Sequence, residues 1–231
     1  MISLISSPIA KSAGLLRDLK GCRIMNDLSA RDLRVVRLRF YDILKSFLDT
    51  EPDAEKLSRW RGVFSALRRE QISPGLDRSA ATIHALLAEQ NLADIKEEYY
   101  ELFVNPFSDD KVILNGSFYR DDRIGGPSLV EFRAFLKEAG LTFDRASMLE
   151  DDSLLVMLDF MATLIGAEKD ARDGDRLQHL QSRLLNEYLR PTAQSVGKRV
   201  GEVSSAAFYS ACFTFMTDYL DIERALFDSG A

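Results

Sequence analysis

The sequence has very few of the side chains that hold transition metals in proteins. It contains two histidines, His84 and His179, and two cysteines, Cys22 and Cys212. Neither histidine has a cysteine or carboxylate at the spacing of a zinc site, and the cysteines form neither a C-x-x-C pair nor a disulfide framework. We therefore predict no metal or other cofactor, a buried thiol at Cys212, and a reducing, cytoplasmic location.

Several familiar functional motifs are also missing. There is no P-loop, no G-x-G-x-x-G, no G-x-S-x-G and no H-E-x-x-H, and the isolated Gly125-Gly126 pair is typical of a turn. No apolar run approaches the roughly 18 residues of a membrane span, which predicts no stable membrane insertion. The N-terminus has no basic region ahead of its short apolar stretch, so it is a poor signal peptide.

The chain lacks the positive charge that nucleic-acid binding requires. Its formal net charge is −6, whereas binding to nucleic acid needs a basic stripe that displaces counterions. One helix carries the only candidates for base recognition, and they are better explained as a solvated helix flank. These four residues are Arg31, Arg34, Arg37 and Arg39. The charge balance instead permits partners that carry positive charge.

Apolar residues recur with helical periodicity almost throughout the chain. They make up 46% of the sequence, enough for a sizeable core, and no β-type alternation persists beyond four residues. We predict an all-α fold, a single-domain bundle of about eight to ten helices over residues 27–231. Residues 1–26 form either a flexible N-terminal arm or an artefact of an upstream start, and we favour Met25 as the true initiator.

Local signals predict several helix ends. Ser29 is expected to begin the first helix as an imperfect capping box with an Asp in place of Glu. Ser73-Pro74-Gly75 is expected to be a turn. Pro127 suits the first position of a helix, Gly140 suits a C-terminal cap, and Pro191 is expected to stop or kink a helix.

A long aromatic loop is predicted over residues 104–126. Loops of this length are usually functional or disordered, and the presence of Phe107, Phe118 and Tyr119 favours function. The loop could form one wall of a groove for an extended or helical peptide. The alternative is that its aromatic side chains fill the core.

Three acidic clusters remain as candidates for chemistry: Asp109-Asp110, Asp121-Asp122 and Glu150-Asp151-Asp152. Carboxylates of this kind can hold Mg²⁺, cap a helix start, or accept two hydrogen bonds from a guanidinium. We expect Asp151 or Asp152 to cap a helix. An acidic loop beside an apolar groove would also suit a peptide with paired arginines followed by an apolar stretch.

Several segments resemble one family in their order and spacing. They are Tyr41-Asp42-Ile43-Leu44, Glu98 to Val104 with Pro106, Ser117 with Tyr119, Phe132 and Phe135 with Gly140-Leu141, Asp152 with Leu158 to Met161, Glu187 to Pro191, and Phe208-Tyr209. From about Leu33 to Phe227 the chain resembles the TorD/DmsD/NarJ redox-enzyme maturation chaperones. It departs from them at Ile113, Leu114 and Gly116 in the loop, at Leu149-Glu150, and at Ser153, which replaces a signature histidine.

The resemblance implies a TorD-like fold and a cytoplasmic chaperone without catalytic activity. Such a protein would bind the precursor of a molybdopterin-containing oxidoreductase, through its twin-arginine signal peptide, its folding catalytic subunit, or both. It would hold the precursor for cofactor insertion before export or assembly. Its oligomeric state, monomer or dimer, stays open, as do the identity of the client and whether nucleotide binds.

The expected partner-binding residues surround the loop and the acidic signature: Ser117, Tyr119, Asp121, Asp122, Glu150, Asp151, Asp152 and Ser153. Within this set, Tyr119 would contact the peptide and Asp152 would pair with an arginine. Two other functions are weighed against the chaperone. One is a Mg²⁺-dependent hydrolase or lyase that uses the acidic clusters, and the other is a helical regulatory or scaffold protein.

Overall fold

The helices predicted from periodicity are present in the computed structural model, which describes residues 28–142, 150–169 and 174–229. Their bounds are α1 Ala30–Ser46, α2 Ala54–Leu67, α3 Pro74–Glu89, α4 Leu92–Tyr99, α5 Gly116–Asp121, α6 Pro127–Ala139, α7 Leu154–Ala167, α8 Gly174–Arg183, α9 Arg190–Gly201 and α10 Ala207–Ser229. The all-α, TorD-like fold is thus confirmed. The expected arm over residues 1–26 and the expected start at Met25 lie outside the described residues.

Two of the helical rods contain a π-helical turn. Tyr100–Val104 continues α4, and Leu184–Leu189 joins α8 to α9, so the described helices form nine continuous rods. Pro191 therefore does not stop the helix. The backbone adjusts in the π-helical turn directly before the proline, whose ring cannot follow a regular α-helical turn.

Short polar side chains begin most of the N-terminal helices. Ser29 accepts a hydrogen bond from the backbone N–H of Asp32 at 3.2 Å, as the sequence predicts. Ser73 caps α3 in the same way, with Pro74 at its first position; the predicted turn is therefore a helix start. Asn91 and Asp94 form a reciprocal capping box that starts α4.

Helix α10 runs through the centre of the bundle. It packs mainly against α3 and α9, while α1 packs against α7 on the other side of the core. Aromatic rings of α2 pack against α10: Phe208 lies 5.4 Å from Trp60, and Phe215 lies 5.1 Å from Phe64, centroid to centroid. Cys212 is a free, buried thiol on the same helix, as expected, and burial raises its pKa.

A buried ion pair joins the first helix to the last. Arg37 on α1 is only 5% exposed, and its Nε and Nη2 donate to the carboxylate of Glu223 on α10 at 2.9–3.1 Å. The guanidinium also donates to Gln181 on α8 at 2.7 Å and to Glu168 after α7 at 3.0 Å. Tyr219 donates to Glu223 at 2.6 Å.

This arrangement corrects the expectation that Arg37 lies on a solvated helix flank. Burial lowers the pKa of Arg37, but Glu223, together with Tyr219 and Tyr41, raises it overall, so the guanidinium stays charged. A buried charge is tolerated here because hydrogen-bond acceptors surround the guanidinium.

No described helix is long and apolar enough to span a bilayer.

Removing one partner of this pair should destabilise the fold strongly. We expect Arg37→Met to lower the free energy of unfolding by about 3–5 kcal/mol, because it leaves the Glu223 carboxylate buried without its cation. Arg31→Met, on the exposed face of the same helix, is the control and should change it by less than about 0.5 kcal/mol. Urea unfolding measures both, and similar values for the two variants would contradict this role.

Candidate functional site

The segment over residues 104–126 is not one long loop. An extended stretch follows the π-helical turn, and helix α5 then forms within the predicted loop before a turn leads into α6. Backbone bonds hold the stretch in place: Val112 N–H donates to the carbonyl of Leu102 at 2.7 Å, and Leu154 N–H donates to that of Leu114 at 2.8 Å. A carboxylate from a distant part of the sequence accepts a backbone hydrogen bond from the first turn of this helix.

That carboxylate belongs to Asp152, which is 2% exposed. One of its oxygens accepts from the backbone N–H of Ser117 at 2.7 Å, and the other accepts from the side-chain amide of Asn115 at 2.9 Å. Its carbonyl accepts from Gly116 N–H at 2.9 Å, and Ser153 pairs with Asn115 across the same junction. Asp152 therefore caps a helix, as expected, but the helix is α5 and not its own α7.

Ser117 and Gly116 face the interior at this junction. Ser117 is 1% exposed, and its hydroxyl accepts from the N–H of Gly125 at 3.1 Å. A Cβ at Gly116 would lie 2.8 Å from the hydroxyl of Thr192 and 3.1 Å from the methyl of Met157. The close approach of α5 to α9 and α7 thus requires glycine at this position.

Tyr119 and Asp121 are also held by neighbouring backbone. The phenol of Tyr119 donates to the carbonyl of Ile113 at 2.8 Å, and burial raises its pKa to about 12. Asp121 accepts from the Ser128 N–H at 2.9 Å, near the start of α6, and from the Ser128 hydroxyl; these bonds lower its pKa. Asp122 lies exposed in the left-handed conformation at the end of α5, with φ of 54°.

The remaining predicted acids lie beside α6. Arg133 donates to Asp151 at 2.6 Å and to Glu150 at 3.4 Å. The structure thus gathers the predicted residues around α5 and the starts of α6 and α7, but most of them bond to the chain itself. Both carboxylate oxygens of Asp152 already accept hydrogen bonds within the chain. The expected contact of Asp152 with an arginine of a partner stays a prediction.

An acidic cleft that the sequence did not reveal lies between α4 and the segment before α10. It has a volume of about 300 Å³, and Asp94, Glu97, Glu98 and Glu101 line one side of it. On the other side are Val203, Ser205 and Ala206. The only sequence signal is the spacing of Glu97 and Glu101, four residues apart on one helix face.

Glu98 anchors the floor of this cleft and is 9% exposed. It accepts from the backbone N–H groups of Phe208 at 3.0 Å and Tyr209 at 3.1 Å, in the first turn of α10, and from the side chain of Gln90 at 3.1 Å. Burial raises its pKa, while these donors act in the opposite direction.

Exposed apolar side chains continue from the cleft along the same rod. Tyr100 and Val104 are each 46% exposed, and Phe107 is 92% exposed. Asn105 joins the two parts: its amide donates to the carboxylate of Glu101 at 3.1 Å, and its oxygen accepts from Phe107 N–H at 3.0 Å. We call the surface formed by Asp94, Glu97, Tyr100, Glu101, Val104 and Phe107 the α4 face.

A second exposed apolar group lies on α5 and α6. It consists of Phe118, Ile124 and Val130, of which Val130 is 66% exposed. Arg120 and Arg123 are exposed beside it. We call this group the α5–α6 face. Across the described ranges, no three His, Cys, Asp or Glu side chains converge as they would around a metal ion.

Exposed apolar surfaces next to charged side chains, on a helical bundle with a well-filled core, are typical of a protein that binds other polypeptides. Residues 69–194, more than half of the chain, match the family model described as the nitrate reductase delta subunit. The chain therefore belongs to the nitrate reductase delta subunit family, whose members are maturation chaperones of the NarJ/TorD type. The resemblance stated from its motifs is confirmed.

A solved structure described as a redox enzyme maturation protein from Archaeoglobus fulgidus is also similar to this chain. The two share 16% sequence identity over 80% of this chain and 94% of the other, with a TM-score of 0.44. No curated protein sequence matches the chain significantly.

Loss of the Asp152 carboxylate should loosen α5. We expect Asp152→Ala to cost about 1–3 kcal/mol, since it leaves the N–H of Ser117 buried without an acceptor. Hydrogen exchange should rise at residues 115–119 before it rises in α10. Glu150→Ala, which removes an exposed carboxylate, is the control and should cost less than about 1 kcal/mol. Unchanged protection of α5 in Asp152→Ala would contradict the capping role.

Proposed function

We propose that this protein is a cytoplasmic chaperone for the precursor of a nitrate reductase-type, molybdopterin-containing oxidoreductase. It binds the twin-arginine signal peptide of the precursor, its folding catalytic subunit, or both, and holds the precursor until the cofactor is inserted. The observation that carries the proposal is membership of the nitrate reductase delta subunit family. The chaperone itself makes and breaks no covalent bonds.

The distribution of exposed apolar side chains supports a role in binding polypeptide. Seven large apolar side chains are exposed among the described residues, and six of them lie between residues 100 and 130. These six form the apolar parts of the α4 face and the α5–α6 face, so the exposure is concentrated around the segment first predicted as a loop. Concentrated apolar exposure marks a binding surface, whereas scattered single residues do not.

The charge of the protein supports the choice of partner. The chain carries a formal net charge of −6, and acidic side chains line the cleft next to one apolar surface. A twin-arginine signal peptide has the complementary order, two guanidinium groups followed by an apolar stretch. Complementary charges accelerate association and fix the direction in which a peptide lies.

Binding of a signal peptide tests the proposal directly. We expect the full-length protein to bind a fluorescent synthetic peptide, two adjacent arginines followed by an apolar stretch, with a dissociation constant on the order of 1 μM. Replacing both arginines by glutamine should weaken binding by about tenfold or more at low salt, because the charge attraction is lost. Fluorescence anisotropy measures both peptides.

A second titration addresses the other half of the proposal. The probe is the cofactor-free catalytic subunit of a nitrate reductase-type enzyme from the same organism, with and without its N-terminal peptide. If the protein binds both forms, then part of the contact is made with the folding subunit and not with the N-terminal peptide. Failure of the protein to bind the peptide and both forms of the subunit would refute the proposed function.

A further inference from the structure

The carboxylates that line the cleft have no cationic partner in the part of the chain that the structure describes. None of Asp94, Glu97, Glu98 and Glu101 forms an ion pair with any lysine or arginine of the described residues. Four like charges around one cleft raise each other's energy, and an added cation would relieve this repulsion. The acids beside α6 differ, because Arg133 already pairs with them.

The apolar half of the α4 face lies in register with the acidic half. Glu97 and Glu101 are four residues apart along the rod, and Tyr100 and Val104 follow each of them by three residues, so the two pairs form neighbouring stripes. Phe107 extends the apolar stripe beyond the helix end, in the turn that Asn105 fixes to Glu101. The α4 face thus carries negative charge along one stripe and at the cleft. Its surface becomes apolar towards the C-terminal end of the rod.

We infer that the α4 face binds the arginine-bearing segment of the precursor, with guanidinium groups at Glu97 and Glu101 and the following apolar residues on Tyr100, Val104 and Phe107. This inference rests on the proposed function and assigns it a location. A guanidinium donates two parallel hydrogen bonds to one carboxylate. The cleft volume of about 300 Å³ lies at the lower end of the range that holds small ligand groups.

The charge pattern favours the α4 face over the α5–α6 face for this segment. Arg120 and Arg123 are exposed next to Phe118 and Ile124, together with Asp122 and Glu131, so a peptide with paired arginines would meet charges of both signs there. The nearby Lys96 of α4 pairs with Glu51. Electrostatic complementarity between partner and surface is therefore greater on the α4 face than on the α5–α6 face.

Two pairs of variants of the full-length protein locate the peptide. Glu97→Lys reverses a charge on the α4 face, and Glu55→Lys reverses an exposed charge on α2 as its control. Phe107→Ser removes the apolar end of the α4 face, and Val130→Ser removes an exposed side chain of the α5–α6 face. All four residues are exposed, and thermal unfolding verifies that each variant keeps the stability of the parent.

Anisotropy with the twin-arginine peptide then gives opposite results for the two faces. We expect Glu97→Lys and Phe107→Ser each to weaken binding by about tenfold at low salt, with the effect of Glu97→Lys shrinking as salt screens the charge. Glu55→Lys and Val130→Ser should change binding by less than about twofold. The glutamine-substituted peptide should lose its response to Glu97→Lys but retain its response to Phe107→Ser.

The results that would overturn the location differ from those that would overturn the function. If the parent protein binds the peptide but Glu97→Lys and Phe107→Ser bind it equally well, the α4 face is not the site and the chaperone function stands. The same conclusion follows if Val130→Ser is the variant that loses binding. If the parent protein binds neither this peptide nor the catalytic subunit, the proposed function itself fails.

Discussion

Two carboxylates hold the central helix α10 at its ends, and the positions of the other helices depend on them. An apolar helix inside a bundle leaves its first N–H groups without partners, and Glu98 of α4 accepts from two of them. Near the other end, Glu223 receives the guanidinium of Arg37 from α1, which also bonds to Gln181 of α8. Because unpaired buried charges are costly, α1, α4, α8 and α10 can be assembled in few other ways.

The same carboxylate-to-amide bonding shapes the region that carries the family signature. Asp152 starts α5 from a distance of 35 residues, and Ser153, at the place of the signature histidine, pairs with Asn115. The residues at the signature positions therefore hold the start of α5 in place, while the exposed side chains near them remain available to a partner. This division explains how the chain can diverge at the histidine position and keep the fold, since the backbone pairing of Ser153 uses no imidazole.

What the sequence could predict depended on how far apart the interacting residues lie along the chain. Apolar periodicity located the helices, and Ser29, Pro127 and Gly140 marked helix ends because a cap acts within a few residues. Arg37 was misplaced because its partner Glu223 is 186 residues away. The cleft was missed for the same reason, since one wall is α4 and the other is formed by Val203, Ser205 and Ala206, which meet only after folding. Nor does spacing alone tell which helix a carboxylate such as Asp152 will cap.

The π-helical turn Tyr100–Val104 has a consequence for how this rod can vary. Asn105 N–H donates to the carbonyl five residues earlier, Tyr100, at 2.7 Å, so the rod accommodates one residue more than regular winding would. Because the extra residue is absorbed within this turn, deleting one residue here would restore regular winding and largely keep the direction of Glu97 relative to Phe107. The same deletion in the regular part of α4 would instead turn the side chains upstream of it by about 100°. The surface therefore tolerates a change of chain length in this turn better than in the regular turns of α4.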